Sequence, residues 1–141
     1  EAQEAQSRAL LAQALPSAAS QLGVAPEHVV VGGFSQGGIM ALSLLLSRPE
    51  LMRAALVWHS RLLPQIVPLI AAPDAFHGKH LCVSHGTHDN VIPLAAAQSI
   101  RRQVHALPLH LAYEEFASAH EIRPAELAHT VAWLQGLYGA V

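Results

Sequence analysis

Apolar positions along the chain follow two rhythms. Residues 1–15 are rich in Ala, Gln and Glu and carry Leu10, Leu11 and Leu15, which predicts a helix. Pro16 has no amide hydrogen and is expected to break or restart it, with a second short helix over 17–22 that stops at Gly23. His28-Val29-Val30-Val31-Gly32 is a short β-branched run, the pattern of a buried strand. From Gln36 to Ser47, Ile39, Leu42, Leu45 and Leu46 keep helical spacing, and Arg48-Pro49 ends the helix. Ala54-Ala55-Leu56-Val57-Trp58 and His80-Leu81-Cys82-Val83-Ser84 read as strands, separated by an irregular, proline-rich excursion over 59–77. Pro93 suits the first turn of a helix running to about Val104. Leu109 to Phe116 alternates as a strand, and Pro124 starts a last helix with Leu127, Val131, Leu134 and Tyr138 on one spacing.

The order is a helix followed by β-α-β-(loop)-β-α-β-α. Strands separated by helices predict an α/β fold, with a parallel sheet of about four strands, right-handed crossovers and helices on its flanks. No internal repeat, low-complexity tract or linker divides the chain, so one domain over residues 1–141 is expected. In parallel sheets chemistry collects beyond the carboxyl ends of the strands. The informative residues are therefore the polar ones that follow each strand.

Gly33-Phe34-Ser35-Gln36-Gly37-Gly38 follows the first strand and opens a helix. This is G-x-S-x-G in the context it requires, a strand before and a helix after, with glycines that let the two approach around a sharp turn. Ser35 would present its hydroxyl at the sheet edge, and the amide of Gln36 would point at a developing oxyanion. The bland alternative is a glycine-rich turn without chemistry. A serine hydroxyl needs a base to become a nucleophile. His85-Gly86-Thr87-His88-Asp89 follows the third strand and Ala119-His120-Glu121 the fourth, which stations Asp89 and His120 at two further carboxyl ends in the chain order Ser, Asp, His. His120 would take the proton of Ser35, and Asp89 would fix the tautomer of His120. Alone, such an Asp is a turn residue and such a His a solvated side chain. Three of them in order, each after a strand, favour the catalytic reading.

Composition narrows the choices. Of 141 residues, 52% are hydrophobic and 13% charged, the opposite of a disordered chain. A net charge of −2 gives no basic excess for neutralising phosphates, so nucleic acid is not an expected partner. No apolar run approaches the roughly 18 residues of a membrane span. Ten histidines invite a metal reading. His77 and His80, like His85 and His88, are three apart, but no carboxylate or cysteine cluster joins them, so no metal site is expected. Cys82, the only cysteine, falls mid-strand as a small buried hydrophobe, poorly placed for a nucleophile. The polar start, Glu1-Ala2-Gln3-Glu4, lacks a signal-peptide pattern, and a chain without a possible internal disulfide suits a reducing compartment; a cytoplasmic location is expected.

The segments Gly33-Phe34-Ser35-Gln36-Gly37-Gly38, Ser60-Arg61-Leu62-Leu63-Pro64, His85-Gly86-Thr87-His88-Asp89 and Ala119-His120-Glu121 resemble the phospholipase/carboxylesterase family, which includes acyl-protein thioesterases and has the α/β-hydrolase fold. The likeness runs from about residue 20 to 136. It implies a serine hydrolase of small carboxylic esters or thioesters that works without a cofactor. Ser35, Asp89 and His120 match the family triad, and Leu62 and Leu63 a segment that lines the acyl pocket. Arg61 departs from the glycine common after that serine, and a long cation there would narrow the pocket or bind an acidic group. The larger departure lies at the front. Members carry several strands and a glycine-containing loop, the source of the other oxyanion donor, before the nucleophile strand. The chain resembles the carboxyl-terminal part of such an enzyme, truncated on its N-terminal side. Strand 28–32 then becomes an exposed edge that invites association, so a homo-oligomer or a missing N-terminal segment is expected. A truncated, weakly active or inactive paralogue that serves as a binding or oligomerising module is the alternative. A peptidase on the same fold is a third reading.

Overall fold

The β-branched and aliphatic runs assemble into one parallel sheet. The computed structural model describes residues 2–138. Its strands are β1 (Val30–Phe34), β2 (Ala54–Trp58), β3 (His80–Gly86) and β4 (His110–Phe116), in the spatial order β1-β2-β3-β4. All three pairings are parallel, with Val30 opposite Ala54, Ala54 opposite His80 and His80 opposite His110. The helices are α1 (Ala2–Leu22), α2 (Gln36–Ser47), α3 (Leu94–Val104) and α4 (Pro124–Tyr138). Short 3-10 turns at Pro64–Leu69 and Pro73–Phe76 shape the proline-rich excursion between β2 and β3.

The pleat divides the sheet into two faces. Ala55, Val57, Leu81 and Val83 turn to one side and pack with Leu42, Leu45 and Leu46 of α2, Ile66 and Phe76 of the excursion, and Ala97, Ile100 and Val104 of α3. These side chains form the main apolar core. Trp58 and Ser84 turn to the other side and meet α4, where the Trp58 indole donates to Thr130 Oγ1 at 3.0 Å and Ser84 bonds to Glu126. Leu56, Cys82 and Ser84 are buried on that face. The central strands therefore read as nearly continuous apolar runs because both faces are covered.

Several boundaries differ from the sequence reading. α1 is one helix that runs through Pro16, and no break occurs there. The proline removes the amide that would bond to the Ala12 carbonyl, a local cost that the turns on either side tolerate. Ala12 and Leu15 pack against the core while Leu10, Leu11 and Leu22 are exposed. β1 starts at Val30 and not His28, because a 3-10 turn at Pro26–His28 takes up the preceding residues, and it runs on past Gly32 to Phe34, with Gly33 and Phe34 still paired to Val57 and Trp58 of β2. β3 runs two residues further than expected, to Gly86, and carries His85 inside the strand. No helix among the described residues is long and apolar enough to cross a membrane.

Candidate active site

Each polar residue of interest leaves the carboxyl end of a strand. Ser35 follows β1 directly, and its amide continues the ladder by donating to the Trp58 carbonyl at 2.9 Å. Its φ of 58° is the left-handed conformation that a serine adopts only when the surroundings impose it. α2 begins at the next residue, so the Gln36 amide is among the first helical N–H groups, which have no acceptor within the helix. On the other side of the sheet, the Thr87 amide donates to the Phe116 carbonyl at 2.8 Å and the His88 amide to the Ser118 carbonyl at 3.0 Å. These bonds draw the loop after β4 against the loop after β3. Gly86 makes the approach possible, since a Cβ there would lie 2.2 Å from the Ser118 carbonyl oxygen.

Ser35, His120 and Asp89 come together at this rim. His120 Nδ1 is 2.7 Å from Asp89 Oδ2, and His120 Nε2 is 3.1 Å from Ser35 Oγ. A carboxylate only accepts hydrogen bonds, so Nδ1 carries the hydrogen and Nε2 is free to accept from the serine hydroxyl. Phe34 stacks at a tilt on His120 with ring centroids 4.7 Å apart. The Asp89 side chain is wholly buried. Its Oδ1 accepts from the amides of Val91 (2.8 Å) and Ile92 (2.9 Å). Burial pushes the Asp89 carboxyl toward the neutral form, but hydrogen bonds from His120, the Ile92 amide, His59 and the Val91 amide outweigh it and hold the pKa well below the usual carboxylate range. An alcohol, an imidazole and an ionised carboxylate in line form a path along which a proton can leave the alcohol.

Two buried residues complete the cluster, and the sequence reading passed over both. His59 follows β2 and donates through Nδ1 to Asp89 Oδ2 at 3.0 Å. Its Nε2 lies 2.9 Å from Glu126 Oε1 on α4, and Glu126 in turn bonds to Ser84. Both side chains are fully buried. His59 stood in plain view as the polar residue after a strand, but the irregular stretch that it opens drew no chemical reading. Glu126 carried no signal beyond an acidic residue in the first turn of a helix.

The other sequence candidates lie nearby or elsewhere. Leu62 and Leu63 are half-buried and pack against the core. Leu63 also lines an open cavity of about 390 Å³ with Gln36, Ile39, Met40 and the exposed Arg61, closed on its far side by α1. The histidine pairs do not converge, because His85 is buried in β3 while His88 is exposed. His85 Nε2 donates to the Ile92 carbonyl at 2.7 Å. Among the described residues, His59, His85 and Asp89 bring three atoms of metal-ligand type within 4.8 Å of one another. The two nitrogens are engaged as donors to oxygen, and the set reads as a hydrogen-bond cluster.

Known proteins match both sequence and fold. The phospholipase/carboxylesterase family model matches residues 2–137. Acyl-protein thioesterase 1 of Gibberella zeae is 28% identical over 116 residues, which cover 80% of this chain and 49% of that protein. The chain thus spans about half the length of that curated relative. Among solved structures, Arabidopsis thaliana SOBER1 superposes with a TM-score of 0.76 at 21% identity, covering 96% of this chain and 63% of the other. The Bacillus cereus carboxylesterase superposes with a TM-score of 0.77 at 18% identity, covering 87% of this chain and 56% of the other. Identities this low speak for the shared fold, whereas the family match extends over nearly all the described residues. By its motifs, its parallel sheet and that match, the chain belongs to the phospholipase/carboxylesterase family and has an α/β-hydrolase fold.

Proposed function

We propose that this protein is a serine hydrolase that cleaves small carboxylic esters or thioesters through an acyl-enzyme on Ser35. The support is a single chain of contacts, in which His120 bonds to Ser35 Oγ at 3.1 Å and to Asp89 Oδ2 at 2.7 Å. His120 Nε2 takes the hydroxyl proton as Ser35 Oγ attacks the acyl carbon. The carbonyl oxygen gains negative charge and takes a hydrogen bond from the Gln36 amide at the start of α2. The imidazolium then gives its proton to the departing alcohol or thiol, leaving Ser35 acylated. Water repeats the sequence, with His120 again as base, and frees the acid. Asp89 stays ionised throughout and steadies the imidazolium. Leu63 and the neighbouring Leu62 supply an apolar wall for the acyl chain, and Arg61 sets its polar limit. One oxyanion donor is worth about a hundred- to a thousandfold in rate, so full activity needs a second donor beside Gln36.

A fluorophosphonate probe and a burst assay with an activated aryl ester test the reading. Covalent labelling of Ser35, found by mass spectrometry and lost in Ser35→Ala, is the expected result. A wild-type protein that takes no label over the accessible pH range refutes it. A second reading, a module that binds or associates through β1, has one observation in its favour: β1 pairs only with β2 among the described residues. A concentration-dependent mass in solution together with no labelling would select that reading.

A further inference from the structure

Two ionised carboxylates around His59 do not fit a neutral histidine. Its Nδ1 is 3.0 Å from Asp89 Oδ2 and its Nε2 is 2.9 Å from Glu126 Oε1. Ionised carboxylates accept and never donate, while a neutral imidazole has a single N–H. One nitrogen would then turn a lone pair on an oxygen with no hydrogen between them. Glu126 has no cationic partner besides His59 among the described residues, and a buried carboxylate left unpaired is costly. The backbone at His59 is held at φ 51°, in the left-handed region, and this aims the ring between the two acids.

We infer that His59 is a positioning residue, a permanently charged imidazolium shared by Asp89 and Glu126 that sets the pH range over which His120 can accept the proton of Ser35. This rests on the hydrolase reading above. Asp89 Oδ2 accepts from both rings, and the rings of His59 and His120 meet edge to face with centroids 5.8 Å apart. When the serine proton moves to His120, a second cation arises beside the first. The standing charge opposes it, so the acid limb of the pH profile lies lower than it would without His59.

The remaining neighbours do not replace this charge. Phe34 of β1 is apolar, 5.5 Å from the His59 ring. From β3, His85 lies 5.2 Å away between centroids; burial drives its pKa down, and its Nε2–H goes to the Ile92 carbonyl. Cys82, also on β3, is a neutral thiol pushed up to about 12 by burial and by Glu126. Ser84 is neutral and bonds to Glu126. Burial alone would also strip the proton from His59, yet the bonds to Glu126 and Asp89 outweigh it and raise its pKa above the ordinary imidazole value.

Three proteins test the inference: wild type, Glu126→Gln, and His59→Asn combined with Glu126→Gln. Asparagine keeps a donor near the position of Nδ1 and tolerates the left-handed backbone, while the pair carries no charge. Nitrogen-15 NMR of the histidine rings should show two protonated nitrogens on His59 in the wild type at neutral pH, and a ring that loses its proton at lower pH in Glu126→Gln. The pH dependence of fluorophosphonate labelling at Ser35 should keep its shape in the double variant but move its acid limb upward by about half to one pH unit, because the variant removes the nearer imidazolium together with the more distant, partly compensating Glu126 carboxylate. A merely structural role for His59 would change the labelling rate and leave the limb in place. A pyridine-type nitrogen on His59 in the wild type at neutral pH, with the proton on Glu126, overturns the inference, as does a double variant whose limb coincides with that of the wild type. If the double variant does not fold, the wild-type and Glu126→Gln spectra decide. Absence of wild-type labelling overturns the hydrolase reading instead, a failure that the NMR result makes separately visible.

Discussion

Replacing Gly33 with alanine tests the turn that presents Ser35. A Cβ on Gly33 would sit 2.3 Å from the carbonyl carbon of Gly37, 2.5 Å from its oxygen and 2.7 Å from its Cα. All three are backbone atoms, so no rotamer change relieves the clash. β1 is pinned by its ladder, with Gly33 opposite the buried Val57. The start of α2 must therefore yield, by about 1 Å to restore ordinary contact. Ser35 lies between the two elements, and its 3.1 Å bond to His120 would lengthen beyond hydrogen-bond range. Strain of this kind costs about 1–3 kcal/mol of stability. A 1 Å misplacement of a nucleophile costs on the order of a hundredfold in rate. Gly37→Ala is the matched control, because a Cβ there meets nothing within 4 Å and adds helix propensity worth about 0.5–1 kcal/mol. Denaturant midpoints and rates of fluorophosphonate labelling, measured side by side, give the comparison. A Gly33→Ala protein with wild-type midpoint and labelling rate, or a Gly37→Ala protein equally damaged, would refute the argument.

Asp89 is ionised in the fold well below its usual pH, so its contribution to stability is present above about pH 4 and is lost as the pH falls from there through the folded pKa. Denaturation followed from pH 7 to pH 2 should show this loss, and Asp89→Asn should flatten that part of the curve; an unchanged slope contradicts the network. Cys82 is buried and its thiol pKa is pushed up to about 12, so iodoacetamide at mildly alkaline pH should modify it only after unfolding. Stoichiometric alkylation of the folded protein would count against its burial. Thr130→Val removes the acceptor of the Trp58 indole and should destabilise the α4 contact by about 1 kcal/mol, read from thermal unfolding followed by tryptophan fluorescence.

Local pattern carried the sequence reading far because much of this fold is written locally. The β-branched run before Gly33, the spacing of Ile39, Leu42, Leu45 and Leu46, and the proline at 124 each act through neighbours in the chain. The glycine-flanked Ser35 and the acid and histidine after β3 and β4 were legible for a related reason: a parallel sheet sends the carboxyl ends of its strands to one rim. The start of β1 was not legible, since Val29 is as β-branched as Val30 and only the bond from the Val29 amide back to the Pro26 carbonyl ties Val29 to the turn before the strand. Pro16 does not break α1, because a proline's local penalty fixes a cost and not the outcome.

The sequence by itself determined the order of helices and strands, the parallel character of the sheet and the residue types at its carboxyl rim, all of which follow from short-range periodicity and steric rules. Tertiary structure alone decided that His59 reaches Asp89 on one side and Glu126 on the other, across 30 and 67 residues of chain. It also decided which glycine of the motif is crowded and which is not. Such contacts depend on how separate elements pack against a common face, and hydrophobic spacing records that a face is buried without recording what it is buried against.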